Sequence, residues 1–370
     1  MPHGPDSQAT LHQRVTDAVG AVVEPDVELS LADLGLVRGV VVDADRAVVA
    51  VAELVPAGPW RDRLRAEVDA AARRAGAAQV RVDLVQLTDD QRVALRTRLQ
   101  GPTKPTPEQA FSGARVLAIS SGKGGVGKSS ISVNVAVALA RRGRRVALID
   151  ADVYGFSIPR MLGVDRRPAI VADLVIPPKA HGVSVVSVAF FATDEQSPII
   201  WRGPMLHKAL SQFVTDVHWA APEYVLVDMP PGTGDVALTM SQLLPLSEVV
   251  VVTTPQPAAQ KVAQRSAYMA RKVNLTVTGV IENMSHFTGN DGERYELFGS
   301  GGGDLLAQQL DVPLLGKVPL VPALREGSDE GRPIVVTDPQ SEGAAALDAV
   351  VDALLAHPPR RMRLPVVNVR

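Results

Sequence analysis

Apolar residues in this chain follow two patterns, and the change from one to the other falls near residue 101. Before it, apolar positions at helical spacing over 7–20 predict a helix. Two extended stretches, 36–43 and 46–54, predict strands joined at Asp43-Ala44-Asp45. Apolar and charged residues mix at helical spacing over 60–75, and Gly76 stands where a C-cap belongs. A third strand is expected over 79–87, then a helix over 89–99 capped by Thr88. Gly101-Pro102-Thr103-Lys104-Pro105-Thr106-Pro107 has no apolar periodicity, and its prolines make it a semi-rigid linker. From residue 115 onward the pattern changes. Wholly apolar runs recur at 116–120, 145–150, 183–188, 224–228, 248–253 and 276–282, with helical stretches between them and a further short strand over 312–320. Strands without a polar face are strands covered on both sides, so the expected class is α/β: a mostly parallel sheet with helices on both faces, preceded by a small α+β domain. The expected division is a domain over 1–100, a linker over 101–114, an α/β domain over 115–357 and a basic tail over 358–370 that carries Arg360-Arg361-Met362-Arg363. No internal repeat is visible.

Composition narrows the partners. The chain has 370 residues, is 46% hydrophobic and only 4% aromatic, so its cores must be built from Val, Leu, Ile and Ala. A formal net charge of −2 gives no basis for bulk attraction to nucleic acid or to a membrane surface. No apolar run is long enough to span a bilayer, and the N-terminus lacks an apolar signal core, so the expected location is cytoplasmic. There is no cysteine. Disulfides, cysteine nucleophiles and thiolate metal ligands from this chain are therefore excluded.

One segment carries specific chemistry. Gly122-Lys123-Gly124-Gly125-Val126-Gly127-Lys128-Ser129 fits the phosphate-binding P-loop pattern G-x-x-x-x-G-K-[ST]. Glycines let successive backbone N–H groups converge on phosphate oxygens, and the following helix adds its positive end. Lys128 would bind the terminal phosphates of ATP and Ser129 would hold Mg²⁺, with Ser130 completing the loop. The frame is right: an apolar strand over 116–120 precedes the loop, and a Val- and Ala-rich helix over 131–142 follows it, with Gly143 as C-cap. The alternative is a glycine turn with no ligand. Lys123 lies too far upstream to share the role of Lys128.

Carboxylates end two of the apolar strands. Asp150 and Asp152 close one, where they could contact Mg²⁺ or orient a water for attack on the γ-phosphate, while Asp150 could instead cap the following turn. Asp228 ends another, in the usual form of a Walker B carboxylate on Mg²⁺. Pro230-Pro231-Gly232-Thr233-Gly234-Asp235 follows; a loop of glycines beside a rigid Pro-Pro pair suits two discrete positions. The Gly232 amide could sense the γ-phosphate and Asp235 could relay its state; the alternative is a plain turn.

Four segments together resemble the Mrp/ApbC-like iron–sulfur cluster carriers, a branch of the dimeric MinD/ParA/nitrogenase-iron-protein class of P-loop ATPases. They are KGGVGKSS at 123–130, DADVYGFSIPRMLG at 150–163, WRGPMLHKALSQF at 201–213 and DMPPGTGD at 228–235. Ile281-Glu282-Asn283-Met284-Ser285 and Phe298-Gly299-Ser300-Gly301-Gly302-Gly303 add to the resemblance, which covers roughly 110–345. Leu31-Ala32-Asp33-Leu34-Gly35-Leu36-Val37-Arg38 is similar to part of the MIP18-type domain often fused to these carriers. The resemblance implies an ATP-sandwich homodimer in which Lys123 acts in trans. It implies that Asp152 positions the attacking water, that Asp228 supports Mg²⁺ through water and that Asn283 binds the adenine edge. It places Arg202 at the nucleotide or dimer surface, with a structural or solvated arginine as the alternative. It implies apo iron–sulfur clients or assembly proteins as partners.

The resemblance breaks at one place. These carriers commonly hold a bridging cluster with a C-x-x-C motif after the N-M-S segment, and here Gly289 and Gly292 fall at those positions. Asn290-Asp291-Gly292 reads as a hairpin turn between Phe287 and Tyr295. His286 is nearby but lacks a second ligand at metal-site spacing. Three readings remain: an assembly ATPase whose cluster takes ligands from a partner or a small thiol, a cysteine-free ATP-driven dimeric switch that recruits partners, and a positioning ATPase. The last needs a basic DNA-binding face or an amphipathic membrane helix, and neither is evident.

Overall fold

In the computed structural model, described over residues 5–54, 60–153, 155–191, 203–232 and 235–357, the apolar runs of the second half lie side by side as one parallel sheet. Its strands are β1 (Arg115–Ser121), β2 (Val146–Asp150), β3 (Val183–Ser187), β4 (Tyr224–Asp228), β5 (Glu248–Thr253), β6 (Thr276–Asn283) and β7 (Leu314–Val318). They are ordered β3-β2-β4-β1-β5-β6-β7, and a two-residue strand, Lys179–Ala180, extends the β3 edge. All seven run parallel. Every residue of β1, β2, β3 and β5 is buried, which is why these strands show no polar alternation. Helix α1 (Lys128–Arg141) packs Ile131, Val133, Val135 and Leu139 into the core beneath the sheet, and α2 (Pro257–Lys272), α3 (Gly302–Leu310), α4 (Pro322–Glu330) and α5 (Glu342–Ala356) complete the layers. Asp228 pairs in register with Asp150 on one side and Ile119 on the other. The carboxyl ends of β1, β2 and β4 are therefore level, and that edge receives the P-loop and both strand-end carboxylates.

The N-terminal unit is α+β. A helix at Pro5–Gly20 precedes an antiparallel pair, Val37–Asp43 with Arg46–Glu53. The helix Trp60–Arg74 then crosses over to a parallel third strand, Gln79–Gln86. Thr88 caps the helix Asp89–Gln100 through a capping box with Gln91. These bounds lie within about two residues of those expected from periodicity.

Two segments depart from the expected division. Residues Arg166–Lys179 and Val214–Ala220, both inside the span 115–357, cluster with Met1–Thr106 rather than with the parallel sheet. The first holds an antiparallel hairpin, Ala169–Val171 with Leu174–Ile176. Its inward residues Val171, Leu174 and Ile176 are at most 1% exposed and share a core with Val15, Val19, Leu31, Val49 and Val51. Eight residues of apolar alternation cannot tell which distant surface they cover, so the local pattern assigns them to the wrong side of the linker. No helix among the described residues is long and apolar enough to cross a membrane. The expected roles of Arg202 and Thr233-Gly234, the relay by the Asp235 side chain, and the basic tail over 358–370 lie outside the described residues.

Candidate nucleotide-binding site

Two glycines of the loop after β1, Gly122 and Gly127, leave no room for a Cβ. A Cβ on Gly122 would stand 2.2 Å from the Ala263 amide nitrogen and 2.3 Å from the Val262 carbonyl carbon, both backbone atoms of α2. Gly125 and Gly127 adopt φ of +79° and +78°, and a Cβ on Gly127 would meet the Asn283 amide at 2.2 Å. Gly122→Ala is expected to cost about 1–3 kcal/mol of stability through overpacking against backbone. Its thermal unfolding, compared with that of Gly124→Ala, checks this, because a Cβ on Gly124 would meet only a proline side chain, at 3.9 Å.

The loop surrounds a cavity of about 350 Å³ that opens to solvent. Lys123 through Ser130 line it, joined by Ser121, Asp152, Gly155, Met161 and Pro231. Lys128, the first residue of α1, is only 6% exposed. Its Nζ donates to Asp228 Oδ2 at 2.7 Å and lies 3.6 Å from Asp152 Oδ2. Ser129 Oγ donates to the same Asp228 oxygen at 2.7 Å, and Ser132 Oγ donates to the other at 2.6 Å. One ammonium thus stands between two buried carboxylates at the cavity floor. Ser129 Oγ and Asp228 Oδ2 are hard oxygen donors side by side, a donor set that suits Mg²⁺.

The two carboxylates after β2 separate in role. Asp150 is fully buried, and it is absent from the cavity wall. Its oxygens accept from Ser187 Oγ at 2.8 Å and from the amides of Asp152 and Ile158. Burial, then the charge of Asp228, push Asp150 up to about 7. Asp152 faces the cavity, and its Oδ1 accepts from the Gly155 amide at 3.2 Å. The capping alternative therefore describes Asp150, and Asp152 alone of the pair lines the cavity.

Other expected site residues are held by partners elsewhere in the chain. Lys123 Nζ donates to Gln256 Oε1 at 3.2 Å. Ser130 Oγ lies 3.3 Å from Ser328 Oγ on α4. The Gly232 amide donates to the Ser121 carbonyl at 3.0 Å, so sensing a phosphate means exchanging that bond. Asn283 is 3% exposed beneath the P-loop rather than on the cavity wall. Its Nδ2 donates to the Val126 carbonyl at 2.8 Å, and its Oδ1 is buried without a partner. Ser132, Ser187 and Gln256 were not singled out from sequence. Ser132 could have been, since it follows Ser129 by one helical turn; Ser187 and Gln256 carry no local signal.

The segment after Asn283 is a closed hairpin. Phe287–Thr288 pairs with Arg294–Tyr295, and Tyr295 OH donates to Asp291 Oδ2 at 2.5 Å across the turn. A Cβ on Gly289 would meet Asp291 Oδ1 at 2.6 Å and Tyr295 Cε2 at 2.8 Å. His286 Nε2, Thr288 Oγ1 and Arg294 all bond to Glu342 at the start of α5. The bond from His286 holds the Glu342 carboxyl below its usual range. Among the described residues no group of three His, Asp or Glu side chains could hold a metal ion. With no cysteine in the sequence, the described residues do not fit an iron–sulfur cluster.

Residues 113–355 match the family model described as ParA, the NUBPL iron-transfer P-loop NTPase. The chain belongs to this family. An iron-sulfur cluster carrier protein from Mycobacterium tuberculosis is 43% identical over 355 residues, 93% of each chain. One from Bacillus subtilis is 40% identical over 309 residues, 83% of this chain and 87% of that one. Among solved structures, a nucleotide-binding protein in complex with ADP from Archaeoglobus fulgidus is 30% identical with a TM-score of 0.54, covering 64% of this chain and 95% of that one. The septum site-determining protein MinD complexed with Mg-ADP from Pyrococcus horikoshii is 25% identical with a TM-score of 0.51, covering 66% and 97%. The NUBPL-type match contains every cavity residue named above.

Proposed function

We propose that this chain binds and hydrolyses ATP as a cytoplasmic homodimer and serves iron–sulfur cluster assembly or transfer to apo client proteins. The observation that carries the reading is that Lys128, Ser129 and Asp152 line one cavity at the carboxyl edge of the sheet, with Asp228 buried behind them and bonded to Lys128 and Ser129. Lys128 exchanges its carboxylate partners for the terminal phosphate oxygens, and the P-loop amides take the remaining charge. Ser129 and, through water, Asp228 would hold Mg²⁺, which when bound would offset the phosphate charge. Asp152 accepts a hydrogen bond from the attacking water and aligns it. Asn283 would meet the adenine amine through its unpartnered Oδ1 only once the loop above it shifts, because that oxygen is buried. The cluster is cargo, and because the chain has no cysteine its thiolates come from a partner or a small thiol.

Two measurements test this. ATP turnover that depends on Mg²⁺ supports the ATPase half; its absence removes it. Anaerobic reconstitution with iron and sulfide, with and without a low-molecular-weight thiol, tests the cargo half. Iron retained on the desalted protein only with thiol is the expected result, and none under either condition removes cluster carriage by this chain. Lys123→Ala is expected to keep ATP affinity within about threefold, since Lys123 reaches the cavity from its rim while Lys128 holds the floor. It should lose ATP-dependent dimerisation in light scattering, and a persisting dimer would count against a trans role.

A further inference from the structure

Asp228 is held in the sheet from both sides. Its backbone pairs in register with Asp150 and with Ile119, and its carbonyl accepts from the Ala151 amide at 2.9 Å. The rotation of its side chain is what remains to be fixed, and three donors fix it. Lys128 Nζ and Ser129 Oγ both donate to Oδ2, each at 2.7 Å. Among the described residues only the Ser132 hydroxyl donates to Oδ1, at 2.6 Å. Asp228 and Ser132 are both fully buried, so solvent does not replace a donor that leaves.

The three donors differ in what else they can do. Lys128 and Ser129 line the cavity, and in the nucleotide-binding reading they are the groups that turn to phosphate and Mg²⁺. Ser132 does not line it. A serine inside a helix ordinarily gives its hydroxyl to the carbonyl four residues back, and Ser132 Oγ does lie 3.1 Å from the Lys128 carbonyl. The hydroxyl has one proton, however, and the ionised acceptor at 2.6 Å has the stronger claim on it. With Lys128 and Ser129 engaged elsewhere, this bond keeps Oδ1 turned back toward α1 and Oδ2 turned toward Ser129.

We propose that Ser132 is a positioning residue for the Mg²⁺ site: it pins Oδ1 of Asp228, so that Oδ2 stays beside Ser129 after Lys128 and Ser129 have exchanged it for phosphate and metal. The proposal rests on the nucleotide-binding reading above. Ser132 itself touches neither nucleotide nor metal. Its bond is one of three to Asp228 in the free protein and the last of them with Mg-ATP in place, so its loss weighs most on the metal-loaded state.

Calorimetric titration of the full chain with ATP, in EDTA and across a Mg²⁺ series, tests it. In EDTA, Ser129 stays on Asp228, and Ser132→Ala should keep ATP affinity within about threefold of wild type. The Mg²⁺ concentration that half-saturates the tightening of ATP binding should rise by about tenfold or more, the worth of a hydrogen bond to a charged group. Ser132→Cys, close in size and only a weak donor, reads the same shift if the alanine variant fails to fold. Ser187→Ala is the control. It removes an equally buried serine–aspartate bond, 2.8 Å long, from Asp150 behind the cavity wall. It should leave the Mg²⁺ requirement unchanged even where it lowers the melting temperature. An unchanged requirement in a folded Ser132 variant overturns the proposal, and so does an equal rise in Ser187→Ala, which would make the effect a general loosening of the core. Wild type that does not bind ATP faults the nucleotide reading instead, and takes this inference with it.

Discussion

Lys128→Ala should lower ATP affinity by about 100-fold or more. Hydrogen bonds to charged groups are each worth about 1.5–3 kcal/mol, and a factor of ten in affinity is about 1.4 kcal/mol, so losing two phosphate contacts is enough. Titration calorimetry reads the loss directly, and unchanged affinity would remove the site assignment. A second effect is peculiar to this geometry. The ammonium also separates Asp228, which is fully buried, from Asp152, which is 7% exposed. Removing one partner of a buried pair leaves the other charge uncompensated, at a cost on the order of 3–5 kcal/mol. The three hydroxyl and ammonium donors to Asp228 fall to two, Ser129 and Ser132, so the loss should sit at the lower end of that range. The variant should therefore melt earlier than wild type even without ligand. A phosphate-binding role alone does not predict that.

Asp152→Asn is expected to slow ATP hydrolysis by about 10²–10⁴-fold while leaving ATP binding nearly intact, the range for loss of a positioned general base. Asp152 faces the cavity with its Oδ2 3.6 Å from Lys128 Nζ, and an amide there keeps the shape but loses one acceptor. Asp150→Asn is the informative partner, since it changes the same chemistry two residues away behind the wall. Because the fold raises the Asp150 carboxyl from 3.8 to about 7, its ionisation works against folding. Its contribution to stability is greatest in acid and is lost as pH rises from about 4 toward 7. The neutral amide should thus be tolerated at pH 8, keep turnover within about tenfold and flatten that pH dependence in thermal melts. Equal loss of turnover in both variants would move the catalytic role to the pair as a unit.

What the sequence disclosed and what it withheld divide along the range of the interactions. The strands of the sheet were legible because burial on both faces leaves no polar residue in Val146–Asp150 before its terminal carboxylate, and none at all in the middle of Glu248–Thr253. The helix start at Asp89 was legible because Thr88 and Gln91 satisfy each other's backbone within four residues. The P-loop was legible because its geometry is local, with Gly125 and Gly127 at positive φ three residues or fewer from Lys128. The contacts that set the site are not local. Ser187 meets Asp150, Gln256 meets Lys123 and Asn283 meets Val126 from strands and helices far along the chain. Asn283 shows the limit best: the resemblance implied an adenine contact, while the fold seats its amide under the loop with one oxygen left over. The hairpin over 169–176 was missed for the same reason, since its alternation is real but its partner surface is built from residues before 107.

That hairpin has a consequence for how the protein is made. Residues up to Thr106 leave the ribosome before the rest of their own unit, whose core lacks Val171, Leu174 and Ile176 until those residues emerge, and the segment ending at Ala220 comes later still. At a synthesis rate of about 5–20 residues per second, the interval between Thr106 and Ala220 is roughly 6–20 s. For that time the unit stands half closed, with an apolar face waiting for a piece of chain not yet translated. A fragment cut at the proline-rich linker is held in the same unfinished state for good. That core is thus completed only after the P-loop has been made, when residues 166–179 and then 214–220 follow it off the ribosome.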